Sequence, residues 1–199
     1  MYIDLEKYQG LIFDMDGTLI DTMPAHLEAW SQTAEHFKFP FTKEWLHSLG
    51  GMPSVKIVGE INRKHGMALN PREVSEFKMS TFASFEDFGA IIPCTNHVLN
   101  EFYGKKKMAV GTGSQRDSAN RLLDTTGIIN KLDAVVTATD VDKHKPEPDT
   151  FLLAAEKLGL EPQQCVVFED TALGKQAAHA AGMDCVMVEG DKLVFYPLP

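Results

Sequence analysis

Five short apolar runs, rich in β-branched residues, recur along the chain: Leu11 to Phe13, Met108 to Gly111, Ala134 to Thr137, Val166 to Phe168 and Cys185 to Val188. Each has the length and composition of a buried strand. Helix-like stretches separate the later four. One is polar and runs through Leu122 and Leu123 to Gly127, one begins near Asp149, and one carries the small residues Gly174, Ala177, Ala178, Ala181 and Gly182. Strands alternating with helices predict an α/β fold with a parallel sheet covered on both faces. Ligands of such sheets bind beyond the carboxyl ends of the strands.

The interval between the first two runs breaks the alternation. From about Pro24 to Ile92 the pattern is helical, with Leu27, Trp30, Ala34 and Phe37 at i, i+3, i+7 and i+10. Asn70-Pro71-Arg72-Glu73 reads as an N-cap, a proline at the first helical position and a capping-box Glu; Val74, Phe77, Thr81 and Phe85 form the predicted inward stripe of that helix. The expected organisation is therefore a core of residues 1–23 and 93–199 interrupted by a helical cap of residues 24–92. Hinges near Asp21 to Pro24 and Gly89 to Cys94 would let the cap act as a lid over the strand ends.

Composition narrows the function classes. A net charge of −9 argues against nonspecific nucleic-acid binding, which needs a surplus of Lys and Arg. No apolar run is long enough to cross a bilayer, and the first residues lack the order of a signal peptide, so a soluble cytoplasmic protein is expected. Cys94, Cys165 and Cys185 are few and widely spaced, as buried thiols in a reducing compartment would be. Oligomeric state is expected to be a monomer or weak dimer.

Candidate chemistry gathers at the strand ends. Asp14-Met15-Asp16-Gly17-Thr18 follows the first strand, and two acids one residue apart suit a hard cation such as Mg²⁺. The same letters occur in plain turns and calcium loops, although the acidic series of a calcium loop is missing after Gly17. Gly111-Thr112-Gly113-Ser114 ahead of a helix suits phosphate, or is a turn with Ser114 as N-cap. Lys145, before Pro146, is either a rigidly held ammonium or a solvated loop lysine. Glu169-Asp170 either completes an oxygen-rich metal site or caps the next helix.

Taken together, DxDGT, Thr112, Lys145 in Lys-Pro-Glu-Pro and Glu169-Asp170 resemble, in order and context, the four motifs of the haloacid dehalogenase-like (HAD) hydrolase superfamily. The resemblance covers nearly the whole chain. It implies a Rossmann-like core with a helical cap of the β-phosphoglucomutase-like subgroup. It further implies Asp14 as nucleophile and Mg²⁺ ligand, Asp16 as proton carrier lending its backbone carbonyl to the metal, Glu169 and Asp170 as metal ligands, and Lys145, Thr112 and Gly113 around the phosphoryl group.

Within that family, Asp21 to Trp30 is similar to the cap entrance of β-phosphoglucomutases, including His26. A mutase cap loop, however, carries a Lys and an Arg that grip a second phosphate, and Gly50 and Ser54 stand at those positions of Leu49-Gly50-Gly51-Met52-Pro53-Ser54. The fuller resemblance is to YqaB-like sugar phosphatases, through segments such as 108 to 114 and 144 to 153. It implies hydrolysis of a small phosphorylated sugar or sugar acid, of the fructose 1-phosphate or 6-phosphogluconate kind, with a hexose-phosphate mutase as the alternative. Gly113, Ser114, Arg116, His26, Gly50, Gly51 and Ser54 are the expected substrate contacts.

Overall fold

The computed structural model describes residues 3–199. A six-stranded sheet forms the centre: β1 (Gly10–Phe13), β2 (Lys107–Gly111), β3 (Ala134–Val136), β4 (Cys165–Glu169), β5 (Asp184–Glu189) and β6 (Lys192–Tyr196). Strand order is β3-β2-β1-β4-β5-β6, parallel except for β6, which returns antiparallel beside β5. The five parallel strands fall where the apolar runs lie. β6 adds a sixth strand to the five expected: its apolar run Leu193 to Tyr196 was not among them, and it lies half-buried at the edge of the sheet beyond β5.

Eight helices accompany the sheet among the described residues. Between β1 and β2 come α1 (Met23–Phe37), α2 (Lys43–His47), α3 (Ser54–His65), α4 (Pro71–Ala83) and α5 (Pro93–Phe102). The rest are α6 (Arg116–Thr125), α7 (Asp149–Leu158) and α8 (Ala172–Ala180). Strand alternation sorts the core. Leu11, Phe13, Val110, Val166 and Phe168 pack on one face with Leu99 and Leu122; Ile12, Ala109, Val167 and Cys165 pack on the other with Phe151, Ala154 and Ala177. The helices α1 to α4 hold a third cluster of their own, around Trp30, Leu46, Ile57, Val58, Ile61 and Val74.

Two chain crossings join this helical block to the sheet, and they lie side by side. Asp21 N donates to Ala90 O at 2.8 Å, and Ile20 bridges Ile91. Gly89 adopts φ +113, and a Cβ there would fall 1.9 Å from the Asp21 carbonyl oxygen, so only glycine fits. No described helix is long and apolar enough to cross a membrane.

One predicted stripe is corrected. The Asn70 side chain does cap α4, accepting from Arg72 N and Glu73 N. The buried face of the helix, however, is Val74, Ser75, Lys78 and Phe82, rotated from the expected Val74, Phe77, Thr81 and Phe85. Phe77 instead packs at the rim against His36 and Phe37. The rotation carries a lysine and a serine inward.

Candidate active site

β1 lies between β2 and β4, where the chain reverses its direction of travel across the sheet, so a crevice opens beyond its carboxyl end. Register sets what meets there. Phe13 pairs with Phe168, their rings stacked at 4.6 Å, which brings Asp14 alongside Glu169. Asp14, Lys145 and Glu169 are buried, and Lys145 Nζ donates to Asp14 Oδ1 at 2.6 Å and to Glu169 Oε1 at 2.7 Å. Lys145 is thus the held ammonium of the two readings, not a solvated one.

Glu169 sits over the start of α8. Its Oε2 accepts from Thr171 N and Thr171 Oγ1 at 2.6 and 2.8 Å. A Cβ on Gly174 would lie 1.9 Å from the Glu169 Cδ, so the missing side chain makes the space for this carboxylate. The N-cap of α8 is Thr171, whose hydroxyl accepts from Gly174 N. Gly17 plays the equivalent part for Asp170: it takes φ +86, and a Cβ there would lie 2.3 Å from Asp170 Oδ2.

Carboxylate oxygens of Asp14, Glu169 and Asp170 lie within 4.8 Å of one another. Three acids face one ammonium. Burial, with the Glu169 and Asp16 charges, pushes Asp14 up to about 7 even against Lys145; burial, then Glu169 and Asp14, push Asp170 up to about 9. Burial works against the Lys145 charge, but Asp14 and Glu169 outweigh it and hold its pKa above the ordinary range. The site is short of positive charge, and its all-oxygen donor set fits a hard divalent cation. The Asp16 carboxylate points elsewhere, so Asp16 could join that set only through its backbone.

Asp16 is gripped by four donors. Oδ1 accepts from Thr22 Oγ1 at 2.6 Å and from His26 Nε2 at 3.2 Å; Oδ2 accepts from Ser114 Oγ at 2.6 Å and from Thr112 Oγ1 at 3.3 Å. Burial alone would raise its pKa, but the bonds from His26, Ser114 and Thr22 prevail and hold it well below the carboxylate range. Behind His26, Lys78 Nζ lies 2.6 Å from Nδ1. That contact fixes the tautomer: Nδ1 accepts from lysine and Nε2 carries the proton toward Asp16. Burial and then the Lys78 charge hold His26 below its usual pKa, while burial brings Lys78 down to about 7.

A cavity of about 80 Å³ opens above these groups, floored by Asp14, Asp16, Thr112, Gly113 and Ser114. Its roof is the helical block, which contributes His26, Gly50, Gly51, Ser54 and Lys78. Roof and floor touch backbone to backbone: a Cβ on Gly113 would fall 2.3 Å from the Gly51 carbonyl oxygen. A Cβ on Gly51, which takes φ +86, would lie in ordinary contact with Lys145 Cδ and Thr171 Oγ1, each at 3.4 Å.

Of the expected substrate contacts, all but one line this cavity. Arg116 opens α6 with its side chain turned outward, half-exposed and 2.8 Å from Asp140 Oδ1; Gln115 lines the cavity instead. Ser114 is not the N-cap of α6, a place Gln115 takes, and its hydroxyl serves Asp16. Lys78, Thr22, Ser75 and Thr171 escaped sequence reading. Thr22 and Thr171, each just ahead of a helix, left a local signal; Lys78 and Ser75 left none.

Residues 11–188 match the model of the haloacid dehalogenase-like hydrolases, nearly the whole described chain. The chain belongs to that family. It is 42% identical over 184 residues to the fructose-1-phosphate phosphatase YqaB of Escherichia coli, covering 92% of this chain and 97% of that one. It is 30% identical over 191 residues to the β-phosphoglucomutase of Bacillus subtilis, covering 90% and 83%. Among solved structures, the β-phosphoglucomutase of Clostridium difficile superposes with a TM-score of 0.82 at 25% identity, over 92% of this chain and 85% of that one. The family's fold, an α/β core with helices inserted after β1, is the one described above.

Proposed function

We propose that this phosphoric monoester hydrolase cleaves sugar monophosphates through an aspartyl-phosphate on Asp14, with residues 24–92 as its lid. The observation that carries the reading is the buried Asp14–Lys145–Glu169 chain, beside an Asp16 held by His26, Thr22 and Ser114. Lys145 occupies Asp14 Oδ1, which leaves Oδ2 for the cavity. Attack of that oxygen on phosphorus breaks the ester bond, and the departing alkoxide takes a proton from Asp16. Water then attacks the same phosphorus, gives its proton back to Asp16, and frees inorganic phosphate and Asp14.

Asp16 must carry a proton for the first step, yet its four donors favour the charged form. A phosphoryl group cradled by Thr112, Ser114 and the Gly113 amide supplies the resolution. Its oxygens compete for the Thr112 and Ser114 hydroxyls, which leaves Asp16 two donors poorer and easier to protonate. The acid is thereby armed when substrate is present.

Asp14, Asp170 and Glu169 with the Asp16 carbonyl would hold Mg²⁺, which when bound supplies charge that offsets the developing negative charge on phosphorus. The similarity to YqaB favours a sugar monophosphate such as fructose 1-phosphate. Asp14→Asn tests the reading: phosphate release from fructose 1-phosphate should vanish while the circular dichroism spectrum is retained. Substantial turnover by that variant would sink the nucleophile assignment.

A further inference from the structure

The cavity roof is chemically one-sided. Met23, Leu27, Trp30, Leu46 and Ile57 line it with carbon, and the polar side chains set among them are His26, Lys78, Ser75 and Ser54. Lys78 is the one Lys or Arg among the described residues that line the cavity. Its ammonium is already engaged, 2.6 Å from His26 Nδ1 and 5.0 and 5.8 Å from the ring centroids of Phe82 and Trp30.

Ser75 lies three residues before Lys78 on the same inward face of α4, only 8% exposed. No described residue bonds its hydroxyl. Its hydroxyl, at the cavity wall, has both donor and acceptor capacity open to a ligand group. Ser54 Oγ, at the first residue of α3, faces only the weak acceptor Met79 Sδ at 3.7 Å.

Resting on the phosphatase reading above, we propose that Ser75 is a specificity-determining residue that bonds a hydroxyl of the leaving alcohol, with Ser54 as a second hydroxyl contact, and that this wall selects neutral sugar monophosphates over sugar-acid phosphates and bisphosphates. A carboxylate or second phosphate entering the roof would shed its water against methionine, tryptophan and two serines. Lys78, the one cation of the roof, is already bonded to His26 Nδ1, and Asp14 and Asp16 repel such a group from below. A neutral polyol meets hydroxyls and carbon instead, which match its own surface.

The test measures phosphate release by the full chain with Mg²⁺ from four esters: fructose 1-phosphate, 6-phosphogluconate, fructose 1,6-bisphosphate and ethyl phosphate, whose alcohol has no further hydroxyl. For the wild-type chain, kcat/KM for fructose 1-phosphate should exceed that for 6-phosphogluconate and the bisphosphate by about tenfold or more. In Ser75→Ala the ratio of kcat/KM for fructose 1-phosphate to that for ethyl phosphate should fall about 3- to 10-fold, the scale of one neutral hydrogen bond. Ser54→Arg should move preference toward 6-phosphogluconate. Comparable rates on the neutral and acidic sugars, or an unchanged ratio in Ser75→Ala, would overturn the proposal while leaving the phosphatase reading intact. Release from none of the four esters would overturn both.

Discussion

Gly113→Ala isolates the contact between the helical roof and the sheet. The added Cβ would stand 2.3 Å from the Gly51 carbonyl oxygen, where ordinary van der Waals contact begins at 3.4 Å, so roof and floor must part by about 1 Å. A backbone oxygen cannot rotate aside as a side chain would. Gly113 is not among the glycines with positive φ, so alanine meets no strain of its own, and its amide remains available to phosphate. Folding stability should fall by about 1 kcal/mol, the low end of overpacking, because the roof can part from the floor. Catalysis should suffer more, because a displacement near 1 Å in a reacting constellation costs about 10²-fold in rate. Steady-state phosphate release from fructose 1-phosphate, read beside a urea melt, separates the two quantities. Wild-type kcat/KM in the folded variant would refute the claim that turnover requires this closed contact.

Three further outcomes follow from the geometry. Gly174→Ala gains about 1 kcal/mol in helix propensity but drives a Cβ into Glu169 and breaks its bonds to Lys145 and Thr171, so a net loss of about 2–4 kcal/mol is expected in urea unfolding; an equal or higher midpoint would contradict this. In metal-free protein the raised Asp14 and Asp170 keep protons that the unfolded chain releases near 3.8. Their contribution to stability is full below that pH and is lost as pH rises through about 7 and about 9. The thermal midpoint in EDTA should accordingly fall between pH 5.5 and 9.5, and Mg²⁺ should restore most of the loss at high pH; a flat profile in EDTA would count against the charge imbalance. Lys78→Met removes a like charge from beside His26, so the His26 pKa should rise, which NMR titration of the imidazole can read; an unmoved titration would mean the lysine does not control it.

Much of the floor of the site was legible in the chain. Asp14, Thr112, Lys145 and Glu169-Asp170 each follow an apolar run or precede a proline, and parallel strands place such positions together at one edge of the sheet. What each group does there was implied by the family resemblance and was not legible from the local pattern. Whether Glu169 caps a helix or holds a lysine depends on register with β1 and on a glycine one turn along α8, neither of which a local pattern reports.

The roof shows the limit most plainly. Apolar periodicity assigned the inward face of α4 to Phe77 and Thr81, since those are the residues a hydrophobic core would take. The helix instead packs so that Lys78 and Ser75 point inward, toward an Asp16 that lies 62 residues away from Lys78 in the chain. By itself the sequence determined the sheet, the inserted helices and the acids at the strand ends, because these depend on local alternation and on chain order. Only the tertiary structure decided that a lysine and a serine are buried in the roof and that Arg116 turns away. A polar side chain facing a concave site reads, along the chain, the same as one facing water.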